Sequence, residues 1–225
     1  MRVTLGLQHI TMTSAPKIYY KYLKHEYLQK FFASGVIRIG TLFDFRNEEM
    51  HGTQIGDDEE GVKSANKVIN WFGGPKDQPE FDKKFINVQE DYVRITNISV
   101  REETRSDNLY VFSVSGTFSL EIMKKMNPEY DACIAIEKPK RFFQAIAIRM
   151  KSRAHHSVFG RCVYSNRHMP HDQQHQAHPG WLKDPEYEYQ DEYRLLMTTK
   201  LNEIEPINIY CKYAAKNYCS IKYMA

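Results

Sequence analysis

The segment from 187 to 197 holds the densest group of side chains that could do chemistry. It reads Tyr-Glu-Tyr-Gln-Asp-Glu-Tyr-Arg-Leu-Leu-Met. Because side chains alternate between the two faces of a strand, a strand here would place Glu188, Gln190, Glu192 and Arg194 on one face. That face would be either the solvated side of an ordinary antiparallel strand or a polar site. A carboxylate in such a site could stabilise positive charge that develops in a reaction.

Serine hydroxyls line a second strand, predicted near the middle of the chain. From 109 to 119, apolar residues alternate with hydroxyl residues, which gives one apolar face and one hydroxyl-lined face. Ser113 and Ser115 lie on the hydroxyl-lined face. They are either ordinary sheet-surface hydroxyls or hydrogen-bonding partners of a site. Ser119 is predicted to cap a short helix that ends at Met126.

The order of these motifs resembles the mono-ADP-ribosyltransferase superfamily, whose signature has a catalytic Glu on a late strand, often with Gln or Glu two residues earlier. Gln190-Asp191-Glu192 matches that pattern. The superfamily also has an aromatic, basic, aromatic triplet on its first strand, matched by Tyr20-Lys21-Tyr22, and a serine-bearing strand, matched by Ser113-Val114-Ser115. A helix ending in Gly and a strand separate them, as in Gly35-Val36-Ile37-Arg38. The chain looks more closely like a bacterial family of unknown function with Y-K-Y, F-S-x-S and E-x-E-Y-R-L motifs.

The resemblance implies a role for each motif. Glu192 would stabilise the oxocarbenium charge that develops when the bond between nicotinamide and ribose breaks, and Gln190 would orient the acceptor. Ser113 would support Glu192 or the nicotinamide ribose. Lys21 would contact the phosphates or ribose of NAD as a cation, where transferases of this superfamily carry His or Arg. A tyrosine of the first strand would stack on nicotinamide. The implied cofactor-binding residues are Lys21, Tyr20, Tyr22, Ser113 and Ser115.

A basic stretch covers residues 138–168 and contains no Asp or Glu. Its cations are interleaved with Phe142, Phe143, Phe159 and Tyr164, a combination that suits phosphate contacts with base stacking. The alternative is that these cations are simply the outward residues of two strands. The residues predicted to bind nucleic acid are Arg149, Lys151, Arg153 and Arg161.

Two other groupings are given structural interpretations. A histidine cluster in a loop rich in Pro and Gln, formed by His168, His171, His175 and His178, is dense enough for zinc or nickel, but no metal site is predicted there. The acidic segment within 44–61 is predicted to be an exposed, solvated loop. No G-x-G-x-x-G or Walker sequence is present, so a Rossmann enzyme or P-loop ATPase is not supported.

Composition indicates one domain, 1–225. The chain has 225 residues, of which 42% are hydrophobic, enough for one sizeable core. Its formal charge of only +3 argues against a wholly basic nucleic-acid coat. No apolar run approaches the roughly 18 residues of a membrane helix, and no signal peptide is recognised, so a cytoplasmic location without membrane contact is expected. The four scattered cysteines are expected to be reduced.

The predicted elements are two short helices and at least seven strands, which favours an α+β fold with mostly antiparallel pairing. Strands are expected at 144–150, 188–198 and 207–213, among others. The superfamily resemblance implies a split β-sandwich with short flanking helices, as in ADP-ribosyltransferases.

Together these observations predict an NAD-dependent ADP-ribosyltransferase that uses NAD as co-substrate and modifies a macromolecule. The basic stretch favours nucleic acid as the acceptor, RNA rather than DNA, and a protein acceptor remains open. The resemblance implies a bacterial toxin or anti-phage effector with a neutralising antitoxin as partner. Two alternatives remain: a non-catalytic nucleic-acid-binding module of a defence locus, and a hydrolase that transfers ADP-ribose to water.

Overall fold

The structure is a computed structural model that describes residues 16–46, 57–90, 93–173, 176–199, 201 and 203–225. Eight strands form its main sheet, and every pairing within that sheet is antiparallel. These strands are β1 (Tyr19–Leu23), β2 (Val36–Thr41), β5 (Tyr110–Ser115), β6 (Ala132–Ile136), β7 (His156–Arg161), β11 (Glu192–Thr198), β12 (Ile207–Tyr210) and β13 (Cys219–Met224).

Smaller elements surround this sheet. A three-stranded sheet contains β3 (Val62–Gly73), β4 (Val93–Arg105) and β9 (His168–Pro170), while β8 (Val163–Tyr164) pairs with β10 (Leu182–Lys183). The helices are α1 (His25–Ser34), α2 (Leu120–Met126), α3 (Pro139–Met150) and α4 (Lys212–Tyr218). The fold is therefore α+β with a mostly antiparallel sheet and few, short helices, as expected. No helix in the described part of the chain is long and apolar enough to cross a membrane.

The main sheet divides at β5. Along one side, β11 pairs with β5 over its length, and β7 follows β11. Along the other side, β2 pairs with Tyr110 and Val111 at the start of β5, whereas β1 pairs with Ser115 at its end. Within the described ranges, no strand pairs with the intervening residues of β5 on that side. The sheet is thus split beside Ser113.

Helix α3 replaces the strand predicted at 144–150, and that prediction is wrong. Phe142, Ile146 and Met150 recur every four residues and are buried in the main core, which is the spacing of one helix face. Pro139 begins the helix, where its missing N–H costs nothing. A short apolar run of this kind does not by itself distinguish the two-residue period of a strand from the 3.6-residue period of a helix, which accounts for the wrong prediction.

The strand predicted at 188–198 begins later, at Glu192. Pro185–Gln190 forms a 3-10 helix, and Asp191 adopts a left-handed conformation with φ of 43° before the strand starts. Glu188 and Gln190 therefore do not belong to the strand face that carries Glu192. The strand predicted at 207–213 likewise ends at Tyr210, and helix α4 follows.

The glycine predicted to end the first helix and the serine predicted to cap the second are both confirmed. Gly35 ends α1 with φ of 75°, and a side chain there would collide with the backbone of Lys212. Ser119 caps α2, because its hydroxyl accepts a hydrogen bond from the Ile122 N–H at 3.2 Å. Both helices consequently begin or end where the sequence indicates.

Candidate active site at the start of strand β11

Glu192 is the first residue of β11, where that strand meets the end of β5. The register pairs Glu192 with Ser115 and Arg194 with Ser113, so these four side chains share one face of the sheet. The opposite face, which includes Tyr193 and Leu195, is packed into the main core. Glu192 is 7% exposed as a residue, and its carboxylate is enclosed by polar neighbours.

Three donors hold the Glu192 carboxylate. Oε1 accepts hydrogen bonds from Ser113 Oγ at 2.6 Å and from Arg194 Nε at 2.7 Å, and Oε2 accepts one from Lys183 Nζ at 2.7 Å. The Glu192 N–H donates to the Tyr164 hydroxyl at 2.7 Å. An ionised carboxylate has about four lone-pair positions, so about one position on Oε2 remains for a further donor.

These neighbours keep Glu192 ionised. Burial by itself would raise the pKa of its carboxyl, because the charged form loses hydration. The charges of Arg194 and Lys183, and the hydrogen bonds that both donate, outweigh burial and hold the pKa of Glu192 far below its usual range. The site therefore contains an anion throughout the physiological pH range.

Arg194 connects Glu192 to the acidic segment. Its guanidinium donates to both carboxylate oxygens of Glu60, at 2.7 and 2.9 Å, and to the Gly180 carbonyl at 2.9 Å. Asp57 is buried as well and forms an ion pair with Arg167. The prediction that 44–61 is a solvated loop is thus wrong for Asp57 and Glu60, which are buried counter-ions; residues 47–56 lie outside the described ranges.

Lys21 lies beside this cluster, at the split in the sheet. Its ammonium donates to the Ser113 carbonyl at 2.8 Å, a group that faces the side of β5 on which the described strands leave it unpaired. The ammonium also lies 5.1 Å from the centre of the Phe112 ring. Burial lowers the pKa of Lys21 to about 8, although the charge of Glu192 acts in the opposite direction. Lys21 thus contacts the backbone of Ser113, the residue whose hydroxyl donates to Glu192.

Gln190 reaches the same cluster by a different route from the one predicted. It is buried at the end of the 3-10 helix, and its Oε1 accepts a hydrogen bond from Lys183 Nζ at 2.6 Å. Lys183 therefore bridges Gln190 and Glu192. The two residues of the Q-x-E motif share a cation rather than a strand face.

Three of the implied cofactor-binding residues pack on, or form hydrogen bonds with, residues of the turn after β5. Tyr22 is 4% exposed, and its hydroxyl donates to the Thr117 carbonyl and accepts from the Ser119 N–H. Tyr20 packs on Phe118 in the same small cluster. The Ser115 hydroxyl, also buried, bonds to the backbone of Thr117. Tyr22 and Ser115 are therefore hydrogen-bonded to the turn after β5, and Tyr20 is half-buried against Phe118; contact of these three residues with NAD stays a prediction.

The structure divides the basic stretch between two places. Arg161, at the end of β7, forms an ion pair with Asp191 at 2.8 Å, next to Glu192. Arg149, Lys151 and Arg153 are exposed near the start of β7, about 17 Å away at roughly 3.3 Å per strand residue. The four residues do not form one patch.

Stacking on bases does not fit two of the four aromatic residues of the basic stretch, Phe142 and Phe143, while Tyr164 is half-buried. Phe142 and Phe143 are buried in the main core beneath α3, and Phe159 is half-buried against Phe143. The nearby Arg167, one of the cations of the stretch, is buried with Asp57. The exposed part of this stretch therefore offers cations without freely exposed phenyl rings.

The histidines of the predicted cluster have separate partners. His168 bonds to Glu59 at 2.7 Å and to Ser64 at 2.8 Å, while the His171 ring lies 3.6 Å from the Phe81 ring. His178 caps a short 3-10 turn. His175 lies outside the described residues, and among those described no three His, Cys, Asp or Glu side chains converge as metal ligands would.

Sequence reasoning missed Lys183, Glu60 and Tyr164 as parts of this cluster. Glu60 lies in a turn more than a hundred residues before Glu192, whereas Lys183 lies on β10, close to Glu192 in the chain, and no motif or spacing marks either of them. The available signal was Arg194 itself, because an arginine pointing to a buried face requires carboxylate partners.

Comparison with known proteins leaves the site to be interpreted from its own chemistry, since no family, curated protein or solved structure matches the chain.

Proposed function

We propose that this protein is an NAD-dependent ADP-ribosyltransferase with an ADP-ribosyltransferase-like split sheet and Glu192 as its catalytic carboxylate. The observation that carries the proposal is the arrangement around Ser113: its hydroxyl orients the ionised Glu192 carboxylate, and its backbone carbonyl accepts a hydrogen bond from the Lys21 cation. A carboxylate and a nearby cation on a split sheet are what a positively charged sugar and its diphosphate require.

In the proposed reaction, the bond between the nicotinamide nitrogen and ribose C1′ breaks, and nicotinamide leaves with the bonding electrons. Glu192 stabilises the positive charge that develops on the ribose, because its remaining acceptor position can bind a ribose hydroxyl. Lys21 attracts the diphosphate. A nucleophile of the acceptor then forms the new bond to C1′ and loses its proton to solvent.

For the acceptor we propose nucleic acid, with RNA preferred. Support comes from Arg161, which lies next to Glu192, and from the exposed cations near the start of β7. The proposal includes the role of a bacterial toxin or anti-phage effector with a neutralising partner, which rests on the sequence resemblance alone.

The test is incubation with NAD labelled on its adenylate half, together with RNA, DNA or cell protein. Wild type is compared with Glu192→Gln and with a matched control, Glu60→Gln, which removes the other carboxylate bound to Arg194. We expect Glu192→Gln to lose nicotinamide release by at least about a hundredfold, the scale of removing one transition-state charge stabiliser. Glu60→Gln should retain most of it per folded molecule.

A second candidate function is favoured by one observation. Two cations within 2.7 Å compensate the charge of Glu192, as expected if the carboxylate only holds the fold together. The protein would then be a non-catalytic nucleic-acid-binding module. If the wild type consumes no NAD and the two variants release as little nicotinamide as the wild type, the result would support this binding module. Release of free nicotinamide without a labelled acceptor would instead indicate a hydrolase.

A further inference from the structure

Lys183 and Tyr164 lie next to each other, because β10 pairs in parallel with β8 and places Lys183 opposite Tyr164. Both side chains reach Glu192. The Tyr164 hydroxyl accepts a hydrogen bond from the Glu192 N–H at 2.7 Å, and the Lys183 ammonium donates one to Oε2 of Glu192 at 2.7 Å. This pair of short strands therefore contacts both the backbone and the carboxylate of Glu192.

The Lys183 side chain is itself held by the chain segment that leads to Glu192. This segment contains the 3-10 helix Pro185–Gln190. Oε1 of Gln190 accepts a hydrogen bond from the Lys183 ammonium at 2.6 Å, and the same ammonium lies 4.8 Å from the centre of the Tyr187 ring. Lys183 is thus held in place by contacts other than the one with Glu192.

Burial separates Gln190 from a macromolecular acceptor. Gln190 and Lys183 are each 3% exposed. A buried ammonium needs acceptors in place of water, and Gln190 supplies one while Glu192 supplies another. A residue that orients an acceptor has to reach it, whereas the side-chain oxygen of Gln190 is bound to Lys183. The contacts of Gln190 therefore connect it to Glu192 through Lys183.

The contact with Lys183 determines how the Glu192 carboxylate is turned. Ser113 and Arg194 both donate to Oε1, and two contacts at one oxygen leave the other oxygen able to swing about it. Lys183 holds Oε2, the oxygen on which an acceptor position remains for the substrate. Displacement of a catalytic group by about 1 Å can cost about a hundredfold in rate. The contact with Lys183 therefore bears directly on the proposed reaction.

We infer that Lys183 is a positioning residue that fixes Oε2 of Glu192, and that Gln190 acts through Lys183 and does not contact the acceptor. As an account of catalysis, this inference rests on the proposed function. It gives Gln190 a role different from orientation of the acceptor. Substitution of Gln190 should consequently affect transfer to every acceptor equally, water included.

The first test measures steady-state nicotinamide release without an acceptor, per folded molecule. Lys183→Met should lower kcat about tenfold to a hundredfold, while KM for NAD stays within about twofold, because Glu192 acts on charge that develops in the transition state. Lys67→Met is the matched control, since it removes the lysine of another short ion pair, 2.6 Å from Asp82, and should leave kcat unchanged. A rise in KM with unchanged kcat would place Lys183 on bound NAD and overturn the inference.

The second test compares nicotinamide release to water with transfer to RNA in Gln190→Leu. Both should fall by the same factor, because the substitution acts on Glu192 and not on the acceptor. The double variant Lys183→Met with Gln190→Leu should be no slower than Lys183→Met alone, since Gln190 has no route to Glu192 once the ammonium is gone. Loss of transfer with release to water intact would show that Gln190 orients the acceptor and overturn the inference, as would additive losses in the double variant.

Crystal structures of the two single variants supply a readout that does not need NAD. The Glu192 carboxylate should be turned from its wild-type orientation in Lys183→Met, and by a smaller angle in Gln190→Leu, which decides the inference if Lys183→Met does not fold. An unchanged carboxylate in the variants would overturn the inference. A turned carboxylate in the variants, with no nicotinamide release by the wild type, would instead contradict the proposed chemistry and leave Lys183 as the residue that positions Glu192.

Discussion

The two ends of strand β11 use charged residues in opposite ways. At its start, Glu192 and Arg194 are buried and paired, with Lys183 and Glu60 completing the cluster. At its end, Thr198 lies beside the turn that contains Lys151 and Arg153, and those side chains are exposed. The charges at one end are therefore fixed by partners, whereas those at the other end are open to a polyanion.

This difference separates the energetic roles of the two groups. A buried pair contributes little net stability when complete, but it is costly to break because the remaining charge has no hydration. An exposed cation contributes little to folding, and its attraction for a phosphate falls with salt. Arg167 and Arg153 belong to the same basic stretch of sequence, yet Arg167 is buried whereas Arg153 is exposed.

The largest expected effect is on folding at the buried end. Arg194→Gln leaves Glu192 and Glu60 without their shared counter-ion, so we expect the free energy of unfolding to fall by about 3–5 kcal/mol. Arg153→Gln, the matched change at the exposed end, should alter it by less than about 0.5 kcal/mol. Urea unfolding of both variants measures the two values. Similar losses for both would show that the cluster is not the buried network described above.

Substitutions of the exposed cations near the end of β11 should change the affinity for nucleic acid rather than the stability of the fold. Reversing Arg149, Lys151 and Arg153 to Glu should weaken single-stranded RNA binding about thirtyfold and lower the salt slope by about 2, if all three contact phosphates. Nicotinamide release without acceptor should be unchanged, because these residues are far from Glu192. Anisotropy titrations over a range of salt concentrations check the first expectation. An unchanged salt slope would mean that nucleic acid binds elsewhere.

The sequence predicted the two strands that build the site better than it predicted the cluster itself. The alternation in β5 and the motif ending at Glu192 correctly placed Ser113 and Glu192 on polar faces, since strand periodicity is a local property. Gln190 was misplaced because Pro185 starts a 3-10 helix before the strand. Lys183 and Glu60 could not be predicted, because their contacts depend on how loops return to the sheet. The helix at Pro139–Met150 was missed for a different, local reason, because a short apolar run does not by itself distinguish a strand from a helix.

The smallest expected effect concerns Lys21 at the buried end, because burial lowers the pKa of its ammonium toward physiological pH. With a pKa of about 8, Lys21 is about nine-tenths charged at pH 7 and about one-tenth charged at pH 9. If it attracts the diphosphate of NAD, KM should rise up to about tenfold over this range, whereas Lys21→Arg should keep a flat profile because arginine stays protonated. Steady-state nicotinamide release at each pH measures this.

Unfolding supplies a second readout of the same residue that does not depend on NAD. The unfolded chain binds the Lys21 proton up to about pH 10.4, while the folded chain releases it near 8. Since stability rises with pH wherever the unfolded state holds more protons, wild type should gain stability relative to Lys21→Arg between these values. A gain in stability with a flat KM would place the amine at the split in the sheet and away from the diphosphate. Its role would then be to satisfy the Ser113 carbonyl.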